Sequence, residues 1–145
     1  QLLRNIFANH TYPHVIKNPT IDIKAEEPII IAAGWKPGCS TDYDAVLVAK
    51  NLGATRLVNL SNIDYAYDKD PNKYHDAKKI EKISWTEYEK LIPKEWKSGL
   101  STPFDPIASR LAQKEGMEVL ILNGRNLSNV EKCLSGENFV GTHIK

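Results

Sequence analysis

The stretch from Ile29 to Ser61 constrains the fold more than any other part of the chain. An apolar run, Ile29-Ile30-Ile31-Ala32-Ala33, empties into the loop Gly34-Trp35-Lys36-Pro37-Gly38-Cys39-Ser40-Thr41-Asp42. Short runs without polar alternation are what parallel sheets bury on both faces. Helical periodicity follows from about Asp42 to Leu52, with Ala45, Val46, Val48, Ala49 and Leu52 on its apolar side, and Gly53 supplies a C-terminal stop. A second strand, Arg56 to Ser61, comes next. Strand, crossover helix and strand form the unit from which parallel sheets are built.

The remaining segments continue that alternation. Residues 1 to 9 read as a helix, Val15 and Ile16 as a short strand, and Asn18-Pro19-Thr20 as a break. Ser84-x-x-Glu87 is a capping box that opens a helix from Trp85 to about Leu91. Asp105-Pro106 opens another, with Ile107, Ala108, Leu111 and Ala112 on one face and its end at Gly116. A strand is expected from Glu118 to Leu122, a helix from Leu127 to Leu134 and a last strand from Val140 to Ile144. The pattern predicts an α/β fold with a mainly parallel sheet.

Composition excludes several classes. Nineteen basic residues against eighteen acidic ones leave a net charge of +1, and the aromatics are not interleaved with Arg, so nothing marks a nucleic-acid surface. No apolar stretch approaches the ~18 residues of a membrane span. Two cysteines, Cys39 and Cys133, cannot build a framework of bridges, which fits a reduced, cytoplasmic protein. Cys133 is in register with Leu127 and Val130 and reads as core. His10, His14, His75 and His143 never fall at metal-ligand spacing, so no protein metal site is expected. Gln1 to Phe7 reads as an amphipathic helix entered midway without a cap, as though an upstream part were missing.

Three constellations carry chemistry. Beyond the Ile29–Ala33 run, a Gly-containing loop delivers Ser40, Thr41 and Asp42 to a helix N-terminus, where free N–H groups and the helix dipole favour an anion. Ser, Thr and Asp are also the usual helix caps, so capping remains open for Asp42. Beyond the next strand, Ser61-Asn62-Ile63-Asp64-Tyr65-Ala66-Tyr67-Asp68-Lys69-Asp70-Pro71 gathers three carboxylates and two tyrosines, and also reads as a turn. The third is Ser101-Thr102-Pro103-Phe104-Asp105-Pro106, in which Asp105 makes a sufficient N-cap by itself.

Taken in order, these segments resemble the uridylate kinases of the amino acid kinase family, especially the archaeal type. The loop Ala33 to Asp42 looks like the family's Gly-rich loop ending in Thr-Thr-Asp, and Asn62 to Pro71 looks like its Asn-Val-Asp-Gly-Val-Tyr-x-x-Asp-Pro segment. Asp105-Pro106 with Ala108 matches a third block, and Gly141-Thr142-His143-Ile144 the closing Gly-Thr-x-Ile. The likeness runs over residues 29–145, taken as a C-terminal nucleotide-binding part, and residues 1–28 fit loosely. It implies a three-layer α/β/α sandwich and transfer of the γ-phosphoryl group of ATP, with Mg²⁺, to UMP. Gly34, Trp35, Lys36, Pro37, Gly38, Cys39, Ser40 and Thr41 would line the uridylate site. Asp42 would orient the reacting groups, Ser61, Tyr67 and Asp70 would contact ATP, and Asp105 would lie near the phosphates.

Two residues depart from that pattern. Tyr65 stands where the family has Gly, so a backbone needing φ > 0 would be strained there. Trp35 stands where it has a small or hydroxyl residue. The family's early strand, with a lysine and glycine-rich turns holding the transferred phosphate, has no counterpart before residue 29. The chain alone is therefore expected to be inactive and to act as a homo-oligomer or with a complementary N-terminal fragment. A kinase of another small acceptor, or a non-catalytic nucleotide-binding or storage protein on the same fold, are the alternatives.

Overall fold

The computed structural model describes residues 1–145 except Trp96, Ser98, Leu100 and Ser101, so the start of the third constellation lies outside the described residues. Among the described residues, eleven elements follow in chain order. They are α1 (Leu2–Ile6), α2 (Thr41–Asn51), β1 (Arg56–Ser61), β2 (Ala66–Tyr67), β3 (Lys79–Ile80), β4 (Lys82–Ile83), α3 (Trp85–Leu91), α4 (Pro106–Lys114), β5 (Glu118–Asn123), α5 (Leu127–Leu134) and β6 (Thr142–Ile144).

The main sheet has the order β1-β5-β6-β4. β1 runs parallel to β5, and β4 parallel to β6, while β5 and β6 are antiparallel. A short antiparallel hairpin, β2 with β3, stands apart. Helices cover both faces, giving three layers. On one face α2, α3 and α4 bring Val46, Ala49, Trp85, Tyr88, Ala108 and Ala112 against Val119, Ile121 and Ile144. On the other, α5 sets the buried Cys133 against Leu120 and Leu122. Trp85 buries its ring there because its indole N–H donates to Met117 O at 3.0 Å.

Local chemistry explains the helix ends. Ser84 and Glu87 form the reciprocal capping box before α3. Gly53 and Gly116 take φ of +68° and +66° just after α2 and α4, a conformation that stops a helix cheaply only at glycine. Gly141 is required by close approach instead: a Cβ there would lie 2.6 Å from Ile121 O.

Three expectations change. Ile29–Ala33 is not a strand of the main sheet. It makes two isolated parallel bridges, Thr11 to Ile29 and Ile16 to Ala32. The segment opposite has two more residues between its bridge positions, around Pro13, which has no N–H to give, so the ladder is broken in the middle. The closing strand is shorter than expected and antiparallel to β5. The polar stretch after Asn62 contains β2, and β3 and β4 follow it; with two residues each, they are too short for periodicity to reveal.

Candidate functional site

Chain direction brings the functional segments to one edge of the sheet. α2 precedes β1, and α4 precedes β5, each through a tight glycine turn, so both helices run antiparallel to the strands they feed. Their N-termini therefore lie at the carboxyl ends of β1 and β5, where open α/β sheets place ligands. Asn59 on β1 ties this edge together, its side-chain amide donating to Pro103 O at 3.0 Å.

The N-cap of α2 is Ser40, whose hydroxyl accepts from Tyr43 N at 3.1 Å. That leaves the Asp42 carboxylate free to reach across, and its Oδ2 accepts from Asp105 N at 2.9 Å. Asp105 in turn caps α4: its Oδ1 accepts from Ile107 N and Ala108 N, both at 2.7 Å. Its second oxygen, Oδ2, is buried without a hydrogen-bond partner. The two helix N-termini meet at two carboxylates. Burial pushes the Asp42 carboxyl above its ordinary value, and the charge of Asp105 adds to the rise against the backbone bond that lowers it. Beside the pair is a cavity of about 210 Å³ lined by Gly38, Cys39, Ser40, Tyr43, Asp105 and Ile107.

The rest of the Gly-rich loop turns away from that cavity. Gly34 and Thr41 line a separate groove on the flank of α2. Trp35 donates its backbone N–H to Asp44 Oδ2 at 2.9 Å, and Lys36 Nζ sits 3.9 Å from the Trp35 ring centroid, over its face. Lys36 and Pro37 are exposed.

The second loop has its own frame. Ser61 ends β1, with its carbonyl accepting from Gly124 N at 2.9 Å. Tyr67 lies in the hairpin opposite Lys79. Asp70 holds a turn, its Oδ1 accepting from Asn72 N at 2.9 Å, and that bond chiefly holds its carboxyl below the ordinary value. Asn123 on β5 donates to Asp64 Oδ1 at 3.0 Å and docks the loop at the same edge. Among the described residues no hydrogen bond joins Tyr67 or Asp70 to the Asp42–Asp105 pair. Tyr65 is unstrained, since no non-glycine residue described takes a positive φ; its ring lies under Lys79 Nζ, 4.9 Å from the centroid.

Residues 5–123 match the amino acid kinase family. The chain belongs to that family. Among curated relatives, the uridylate kinase of Methanobrevibacter smithii is 35% identical over 99% of this chain and 65% of its own length. That of Methanothermobacter thermautotrophicus is 30% identical over the same shares. The chain thus spans about 65% of the length of these relatives. Uridylate kinase from Archaeoglobus fulgidus shares the fold, with a TM-score of 0.79 and 21% identity over 99% of this chain and 67% of that one.

Three residues that shape this amino acid kinase site escaped the sequence reading. Tyr88 both accepts from Phe104 N at 2.8 Å and donates to Phe104 O at 3.2 Å, which fixes the residue before Asp105. A tyrosine on an apolar helix face was the available signal, because a buried hydroxyl needs a partner. Asn59, a polar residue within an apolar strand, gave a similar hint. Asp44 sits among Ala and Val on α2 and is 7% exposed.

Proposed function

We propose that this chain is the acceptor- and nucleotide-handling part of a kinase that moves the γ-phosphoryl group of ATP onto UMP. The observation that carries this reading is the carboxylate of Asp42 bound to Asp105 N where two helix N-termini meet. The uridylate kinase relatives supply the substrate pair. Phosphoryl transfer asks a protein mainly to position two anions and stabilise their charge. Helix N-termini draw phosphate in, while Asp42 and Asp105 oppose an unneutralised one. A cation must therefore accompany the phosphates. The donor set fits Mg²⁺ carried on ATP, since Asp105 keeps one carboxylate oxygen without a hydrogen-bond partner. When bound, that ion neutralises charge on the phosphate oxygens.

In this reading Gly38, Cys39 and Ser40 border the uridylate acceptor, and Tyr67 lies against ATP. Asp42 orients the reacting groups. Among the described residues no helix is long and apolar enough to cross a membrane. In this reading the 145 residues alone give no turnover, since they span about 65% of the length of these relatives.

The test is an assay with ATP, Mg²⁺ and UMP, with other small acceptors alongside. The chain alone should give no turnover. A form completed to the length of its relatives, here by fusion to the unmatched part of the M. smithii enzyme, should phosphorylate UMP in preference. In that form Asp42→Asn should lower turnover at least tenfold, about 1.4 kcal/mol of barrier. Turnover by the chain alone, or an Asp42→Asn form as fast as its parent, would overturn the reading.

A further inference from the structure

The Gly-rich loop is held at three places. At its centre Lys36-Pro37-Gly38-Cys39 makes a turn. Cys39 N donates to Lys36 O at 3.3 Å, Pro37 supplies a fixed φ and Gly38 takes φ +87°, the pattern of a type II turn. At its end Ser40 caps α2 by accepting from Tyr43 N. At its start Trp35 N donates to Asp44 Oδ2 at 2.9 Å, so a carboxylate on the helix that the loop opens reaches back to the loop's beginning. Ahead of that point Ala33 N donates to Ile16 O at 2.9 Å. Between Ala33 and the turn, the bond to Asp44 is the one backbone hydrogen bond among the described residues.

Packing does not explain an acid at this position. Asp44 is 7% exposed, in one wall with Ala45, Val48 and Ala49, and its Oδ1 is buried without a partner. A buried carboxylate with one oxygen unused costs free energy that an apolar side chain in the same wall would not. What Asp44 holds does explain it. Gly38, Cys39 and Ser40, strung between the turn and the cap, form one wall of the cavity of about 210 Å³ beside the Asp42–Asp105 pair. Trp35 also carries the Lys36 ammonium over its ring, so the same bond sets a cation at the loop. Asp44 does not itself line that cavity, and acts on it through the loop.

We propose that Asp44 is the positioning residue of the acceptor site. It clamps the start of the Gly-rich loop to α2, so that Gly38, Cys39 and Ser40 stand in place before an acceptor arrives. The loop is then ordered on folding and not on binding, which is where a flexible loop loses affinity. The clamp needs an acceptor oxygen and not a charge, because its partner is a backbone N–H. It serves the acceptor alone, since the loop after Ser61, read as facing ATP, has its own anchor in Asp64 on Asn123. The inference rests on reading that cavity as the acceptor's, and adds how its wall is held.

Two measurements test it. In the 145-residue chain, Asp44→Ala should speed amide hydrogen exchange at Trp35 and Cys39 roughly tenfold or more, while Ile121 inside the sheet keeps the parent's rate. Asp44→Asn, which retains an oxygen for Trp35 N, should restore slow exchange. In the form completed with the unmatched part of the M. smithii enzyme, Asp44→Ala should raise KM for UMP about fivefold or more, with KM for ATP and kcat within about twofold of the parent. Asp44→Asn should bring KM for UMP back to the parent's. Unchanged exchange at Trp35 would overturn the proposal. So would equal acceleration at Ile121, or KM values for UMP and ATP that rise together, since Asp44 would then serve the fold as a whole. An Asp44→Asn form as impaired towards UMP as Asp44→Ala would overturn it too, because the charge and not the clamp would be at work. A completed parent that leaves UMP untouched counts against the proposed reaction instead, and the exchange pattern then decides the clamp by itself.

Discussion

The chain contains two apolar runs of nearly the same character with opposite fates. Val119-Leu120-Ile121-Leu122 in β5 is 0–4% exposed, with β1 on one side, β6 on the other and helices over both faces. Ile29-Ile30-Ile31 stays half-exposed, bridged on one side only. The residues do not differ enough to explain this. What differs is the number of neighbours each backbone finds. A run without polar alternation announces that it can be buried on both faces, but burial is completed by partners elsewhere in the chain.

The largest expected effect breaks this comparison directly. Ile121→Ala removes a side chain with no exposure and should cost about 2–5 kcal/mol in chemical denaturation. Ile30→Ala, in the run with one free edge, should cost less than ~1 kcal/mol. Equal losses would mean that the Ile29–Ala33 run is packed as tightly as β5. Next in size is Tyr88→Phe. Its hydroxyl serves both the N–H and the C=O of Phe104, so its loss leaves buried groups unpaired and should cost about 1–3 kcal/mol. Melting followed by the Trp85 fluorescence reads this out, and an unchanged midpoint would show that water replaces the hydroxyl.

The smallest effect is the pH dependence at Asp42. Its folded-state carboxyl titrates above the ordinary 3.8, so folding favours the protonated form. Stability from this group is fully present below pH 3.8 and is lost as pH rises through the higher folded-state value. Asn at this position keeps an acceptor for Asp105 N without the charge. Asp42→Asn should therefore be at least as stable as the parent at neutral pH, with the difference vanishing in acid. Unfolding curves at pH 3 and pH 7 decide it: a variant less stable at pH 7 would show that the carboxylate holds the two helix ends together by its charge.

Much of the fold was legible because its signals are local. Ser84 and Glu87 opened α3, Asp105-Pro106 opened α4, and the limits of β1 and α5 follow from their periodicity and flanking polar residues. Pairing was less legible. The break opposite Ile29–Ala33 arises from Pro13, some sixteen residues upstream, and β4 takes its place only because β6 offers it an edge. The site divides in the same way. Ser40, Thr41 and Asp42 could be located from a Gly-rich turn before a helix. That Ser40 would cap the helix, leaving Asp42 to bond Asp105 N sixty-three positions away, depends on how α2 packs against α4. Tyr88, Asn59 and Asp44 act through hydrogen bonds to backbone remote in sequence, which no spacing rule encodes.

The placement of β6 has a consequence for the order in which the sheet can assemble. Thr142–Ile144 comes long after β4 in the chain, yet it sits between β5 and β4 inside the sheet. Thr142 also receives the Ala66 N–H at 2.8 Å, tying the hairpin loop to this strand. β4 therefore gains its place in the sheet only once β6 is seated. Until that strand pairs, β5 keeps an unpaired edge exposed to whatever strand it meets first.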